Sequence, residues 1–189
     1  MRPTKRDELV HRATDIFYRN GFQASGMDML VAETGISKTS IYKHFRTKED
    51  LILATLQWRD EHIRGWLFRR MKELGSTPRE QLIAMFDALG EWFSEPTFRG
   101  CMFAKATSEY QDADHPINRQ AAGHVEKLTD GIRELAEQAG LPDPATLARQ
   151  LTLLKEGAVV LAMLGHTSSP ARDAKAVAVR LLSDPQAPG

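Results

Sequence analysis

ETGISKTSIYKHFRTKEDL, residues 33–51, is the stretch whose reading decides the fold. It predicts the end of one short helix, a tight turn at Gly35, a second short helix capped by Ser37, and the start of a third helix at Thr47. The middle helix carries Lys38, Thr39, Ser40, Tyr42, Lys43 and His44, nearly all of them hydrogen-bond donors. Such a helix behind a glycine turn is the pattern of a helix-turn-helix reading element.

Working outward, residues 4–20 read as an amphipathic helix. Thr4 and Asp7 form a loose capping box, Leu9, Val10, Ala13, Ile16 and Phe17 share one face, and Asn20-Gly21 stops the helix. A short helix follows over about 27–33. Three short helices must share one core, and Phe17, Phe22, Met29, Leu30, Ile36, Ile41, Phe45 and Leu51 are expected to supply it. That leaves Lys38, Thr39, Tyr42 and Lys43 facing out. No carboxylate occurs between Ser37 and Arg46, so nothing there repels phosphate. Ser25-Gly26 and Lys48 are further expected phosphate clamps.

The chain has 189 residues and formal net charge zero, with 25 Lys+Arg against 25 Asp+Glu. The balance is uneven along the sequence. Residues 1–46 hold eight basic residues against five acidic ones, and the rest holds 17 against 20. A basic head on a mildly acidic body suits contact with nucleic acid at one end only, although an excess of three is within chance. Cys101 is the single cysteine, so no intrachain disulfide can form. The longest strongly apolar run, GAVVLAMLG at 157–165, is too short to span a bilayer, and no secretory segment is read near Met1. The expectation is a soluble cytoplasmic protein with no membrane partner.

Helical period continues to the end of the chain, and no stretch alternates as a strand would. A long helix is expected over about 48–74. Gly75-Ser76 breaks it, and Thr77-Pro78-Arg79-Glu80 opens the next, to about 94. Further helices are expected near 100–110, from a cap at Asp114 to 139, from Asp143-Pro144 to 164, and from Ser169-Pro170 onward. The fold class is therefore all-α with about nine helices. The organisation expected is a three-helix DNA-binding head at 1–47, a helical effector-binding and dimerisation body at 48–183, and a disordered tail at 184–189.

Residues 4–56 resemble the N-terminal domain of the TetR family of bacterial transcriptional repressors. The resemblance rests on A-x-x-x-F (Ala13 to Phe17), G-F (Gly21, Phe22), T-G-I-S-K-T-S-I-Y-K-H-F (34–45) and K-E-D-L (48–51). It implies base contacts from Lys38, Thr39 and Ser40, and phosphate contacts from Ser25, Tyr42, His44 and Lys48. Many relatives carry glycine where Thr39 stands, so a side chain here either adds a base contact or alters how closely the helix docks. The resemblance also implies a homodimer on near-palindromic double-stranded DNA, released by a small-molecule effector through a C-terminal pocket. No cofactor is implied.

In the body, Leu147, Leu151, Leu154, Ala158, Leu161 and Gly165 recur at spacings of four and three, and Val177 and Leu181 lie on one face of the last helix. These stripes serve either a four-helix dimer interface or the chain's own core; the dimer is the expectation. Pocket candidates are Trp58, His62, Trp66, Phe86, Cys101, Phe103, Tyr110 and Met163, residues that a core would use equally well. Cys101 lies beside Arg99 at an expected helix start, which favours thiolate and suits an electrophile or oxidant sensor. Yet F-R-G-C-M-F-A-x-A with E-Y and D-H-P (98–116) resembles a TetR subgroup in which this cysteine is mostly structural. Asp112, Asp114 and His115 lack a second histidine, and no metal site is expected. No nucleotide-binding, zinc-protease or serine-nucleophile fingerprint is present, so an enzyme is not expected. A DNA-binding protein without an effector is the remaining rival.

Overall fold

A computed structural model describes residues 4–165 and 169–183. Among these residues there are nine α-helices and no strand: α1 Lys5–Asn20, α2 Met27–Thr34, α3 Lys38–His44, α4 Lys48–Leu74, α5 Pro78–Phe93, α6 Met102–Glu109, α7 Pro116–Gln138, α8 Pro144–Leu164 and α9 Pro170–Ser183. The tail expected to be disordered, 184–189, lies outside the described residues. No helix among the described residues is long and apolar enough to cross a membrane.

Local chemistry sets the helix starts. At α1 the Thr4 hydroxyl accepts from the Asp7 N–H at 3.2 Å, and the Asp7 carboxylate accepts from the Thr4 N–H at 3.0 Å. Thr47 and Asp50 make the same reciprocal pair before α4, at 2.9 and 3.1 Å, and Thr77 and Glu80 make it before α5. Asp143 opens α8 from a left-handed conformation (φ 42°), its carboxylate accepting from the Thr146 N–H at 3.2 Å. One expected cap differs. His115, not Asp114, precedes Pro116, and its ring Nδ1 accepts from the Ile117 N–H at 3.2 Å. Asp114 points outward, 3.8 Å from Arg119. Proline fixes the first residue of α7, so the cap falls on its immediate neighbour.

By contacts the chain forms two compact units. Of the described residues, one unit gathers those up to Ile63 with Met102–His124; the other gathers Arg64–Cys101 with those from Val125 onward. The core of the first unit contains Leu9, Ala13, Phe17, Phe22, Leu30, Leu51, Ile52 and Leu56, each without exposure. Two expected core members differ: Met29 is 36% exposed, and Ile36 is half-buried. The α2 helix is only eight residues long and presents one narrow face inward, which Leu30 fills.

In the second unit α5 packs against α8 and α9. Leu82, Met85, Phe86, Ala88 and Leu89 of α5 are buried with Ala148, Leu151, Val159, Ala178 and Leu182. Two polar ties cross the packing: Lys175 Nζ reaches Asp87 at 2.6 Å, and the Arg79 guanidinium donates to the Leu182 carbonyl at 2.6 Å.

Candidate DNA interface

The turn between α2 and α3 is built to a tight specification. Gly35 adopts φ 67°, ψ 12°, and its N–H returns to the Val31 carbonyl at 3.0 Å. Thr34 is buried; its hydroxyl donates to the Leu30 carbonyl and accepts from the Ile36 N–H at 3.2 Å. Arg12 of α1 donates to the Thr34 carbonyl at 2.8 Å, and Arg19 pairs with Glu33. These groups satisfy the end of α2 and fix where α3 begins.

α3 runs for seven residues behind the Ser37 cap, whose hydroxyl accepts from the Ser40 N–H at 3.3 Å. Ile41 is its buried anchor, and Phe45 is buried directly after it. Lys38, Thr39, Tyr42, Lys43 and His44 are all exposed, Tyr42 by 45%, and Ser40 is half-buried. One acidic group, Asp28 of α2, stands 3.6 Å from the Lys38 ammonium; both side chains are open to solvent. Such a pair is worth little and yields readily to a phosphate. Gly26 caps α2 with no side-chain hydrogen bond, which leaves its first-turn amides open.

Ser25 departs from expectation. It is fully buried, and its hydroxyl donates to the Gly21 carbonyl at 2.6 Å, closing the α1–α2 loop from inside. A short side chain behind a glycine turn folds back onto the nearest carbonyl more easily than it reaches out. Lys48, the first residue of α4, is half-buried, and its ammonium donates to the Gln23 carbonyl at 3.4 Å. Burial lowers its pKa, against the opposing pull of Glu109 and Glu49.

The residues expected to line a pocket are dispersed. In the first unit Trp58 stacks on His62 at 3.8 Å and meets His11 at 5.0 Å, on a surface groove shared by α1 and α4. Phe103 is buried against His124 (3.7 Å, 8° between planes), and Tyr110 is buried beside Phe22 and His115. In the second unit Phe86 and Cys101 are buried, Met163 is 51% exposed, and Trp66 is half-buried. A groove of about 400 Å³ lies between α4 and α7, lined by Arg64, Phe68, Lys127, Asp130, Gly131 and Glu134. None of the expected pocket residues lines it.

The stripe expected to pair with a second chain splits. Leu147, Leu151 and Ala158 face the chain's own core, Leu154 and Leu181 are half-buried, and Leu161 and Val177 are 39% and 42% exposed. The outward apolar residues of α8 also include Leu153 at 74% and Leu164 at 66%. A helix apolar on both sides gives no sign in its spacing of which side turns in.

Sequence reasoning missed three polar side chains of the first unit. His124 Nδ1 meets Asp60 Oδ1 at 2.7 Å with both side chains buried, Lys105 donates to the Tyr18 carbonyl at 2.8 Å, and Glu109 accepts from the Phe22 and Gln23 amides. Their partners lie 64 to 87 positions away, beyond the reach of local periodicity.

Residues 9–55 match the family described as bacterial regulatory proteins, tetR family. Residues 78–178 match the tetracyclin repressor-like C-terminal domain. The chain is similar to the HTH-type transcriptional regulator YjdC of Escherichia coli, 22% identical over 178 residues that cover 94% of this chain and 93% of that protein. It is similarly related to the HTH-type transcriptional repressor NemR of Escherichia coli, 22% identical over 188 residues covering 95% and 94%. Among solved structures, a TetR-family transcriptional regulator from Streptomyces coelicolor superposes with a TM-score of 0.85 at 30% identity, covering 94% of this chain and 87% of that one.

Proposed function

Because this chain belongs to the tetR family of bacterial regulatory proteins and is a DNA-binding transcriptional regulator rather than an enzyme, we propose that it acts as a homodimeric repressor. We further propose that a small-molecule effector releases it from a near-palindromic operator in the cytoplasm. The observation that carries the reading is the exposed α3 face, where Lys38, Thr39, Tyr42, Lys43 and His44 stand in a segment without a carboxylate. Residues 1–47 form the DNA-binding part in this reading, and 48–183 bind effector and partner. The repressor name of NemR, matched along nearly the whole chain, supports the sign of regulation.

Lys38, Thr39 and Ser40 read bases, and Tyr42, Lys43, His44, Lys48 and the open amides after Gly26 hold phosphates. Two copies of α3 engage successive major grooves roughly 34–36 Å apart. The effector binds the body and lowers operator affinity by the difference in its affinities for the two states. The α4–α7 groove is within the size range of small-molecule sites.

Selection of duplexes from a random pool supplies the operator. On that duplex and on a scrambled one, Lys48→Ala and Tyr42→Phe weaken binding about equally, and Lys48→Ala reduces the slope of log affinity against log salt by about 1. Thr39→Ala changes the ratio between the two duplexes, by about 1–3 kcal/mol if it reads a base edge. Equal losses on both would remove Thr39 from the readers.

A further inference from the structure

The loop between α1 and α2 is held by one carboxylate from a distant helix. Glu109, the last residue of α6, accepts the Phe22 N–H on Oε1 at 3.1 Å and the Gln23 N–H on Oε2 at 2.6 Å. Gly21 beside them has φ 84°, and a Cβ placed there would stand 2.8 Å from Oε1. The backbone conformation calls for glycine, and any side chain there would also push the carboxylate aside. One helical turn earlier, Lys105 donates to the Tyr18 carbonyl in the last turn of α1 at 2.8 Å. So α6 grips this corner with a cation on a carbonyl and a carboxylate on two amides. Gln23 is also held at its other end, because the Lys48 ammonium donates to its carbonyl at 3.4 Å.

Two successive amides near an ammonium also describe a cradle for an anion, in which a carboxylate could stand in for a DNA phosphate. Burial decides between the two roles. Phe22 is fully buried, packed against Phe17 at 5.4 Å and Tyr110 at 6.4 Å, so its ring anchors this peptide in the core, and that favours a carboxylate that builds the corner over one that mimics a phosphate.

We propose that Glu109 is a positioning residue for DNA binding: it fixes the Phe22 and Gln23 amides, and the Gln23 carbonyl so held aims Lys48 at a phosphate. This rests on the assignment of Lys48 as a phosphate contact. The test is a double-mutant cycle on the full chain, using the duplex that the wild type selects from a random pool. Glu109→Ala weakens binding about tenfold, the scale of a lost charge-assisted hydrogen bond. In the Lys48→Ala background the same change costs less than about threefold, because the two act on one contact. Glu109→Gln, which keeps the shape and one acceptor, falls between wild type and Glu109→Ala and carries the same cycle should Glu109→Ala fail to fold. Tighter binding by either variant overturns the proposal in favour of an internal competitor. Equal losses in both backgrounds overturn it in favour of a general structural role. Lys48→Ala binding as tightly as wild type removes the phosphate assignment itself, a result read independently of the variants at position 109.

Discussion

His124 and Asp60 meet at 2.7 Å inside the first unit, their side chains 5% and 3% exposed, with the Phe103 ring stacked over the imidazole. A polar pair this deep contributes less through its own attraction than through what its loss exposes. Asp60→Ala removes that carboxylate from the buried imidazole. The expected cost is about 3 kcal/mol, or on the order of 10 °C in melting temperature for a chain of this size. His124→Ala incurs a similar cost, and the double variant loses much less than the sum, since the two share one interaction. Thermal melts of the four proteins decide it; a loss below about 1 kcal/mol for Asp60→Ala would show that the site relaxes around the remaining partner. The pair also marks a limit of sequence reading. Residues bound to neighbours within four positions, such as Thr4, Thr47 and Thr77, announce themselves by spacing. His124, Glu109 and Lys105 bind across tens of residues, and nothing local to them points to the partner.

Helices were the legible level, because each is punctuated where its own chemistry requires. Caps at Thr4, Ser37, Thr47, Thr77 and Asp143 and turns at Gly21 and Gly35 place the ends within a residue or two, whereas Gly165, read as part of an apolar stripe, is the left-handed residue that ends α8. Short α6 was expected over 100–110 and spans Met102–Glu109. The caps carry a pH dependence with a definite sign. The Asp7 carboxyl is held below its ordinary 3.8 by the Thr4 hydroxyl, then the Thr4 N–H, with Arg6 adding a little against the opposing effect of burial. Asp143 is lowered likewise by hydrogen bonds from Thr146, its side chain first. An unfolded chain would titrate these groups at the ordinary value. Their contribution is therefore complete above pH 3.8 and disappears as pH falls through the lower folded values. Amide protection in the first turns of α1 and α8, taken relative to the intrinsic exchange rate at each pH, should fall over that acid window before the helix centres respond. Asp143→Asn keeps a neutral cap and should flatten the response at α8 alone; unchanged acid sensitivity there would assign it to another group.

At the scale of the molecule, what spacing left undecided was the direction in which α8 faces. The helix buries Leu147, Ala148, Leu151, Ala158 and Val159 within its own chain. It still leaves Leu153, Val160, Leu161, Met163 and Leu164 between 39% and 74% exposed, with Val177 of α9 at 42%. Leu153, Gly157, Val160, Leu161 and Leu164 recur at helical spacing on this outer side, and the glycine allows a second helix to come close. Lone surface leucines need no explanation, but a continuous row on one element marks an interaction site. A second copy of the chain is the occupant that the proposed homodimer calls for. Full burial of a leucine contributes about 1.5–3 kcal/mol, and these, already partly covered, contribute a fraction of it each, so several together offset part of the entropy of association. Leu161→Glu places a carboxylate within that row while leaving the inner face intact. The expected result is a helical monomer at micromolar concentration by light scattering, against a dimer for the wild type. Because two heads linked through one interface gain from effective concentration, the monomer should also lose about 10²–10⁴ in affinity for a two-half-site duplex, and little for a single half-site. A monomeric wild type, or a Leu161→Glu protein that stays dimeric, would move the interface elsewhere.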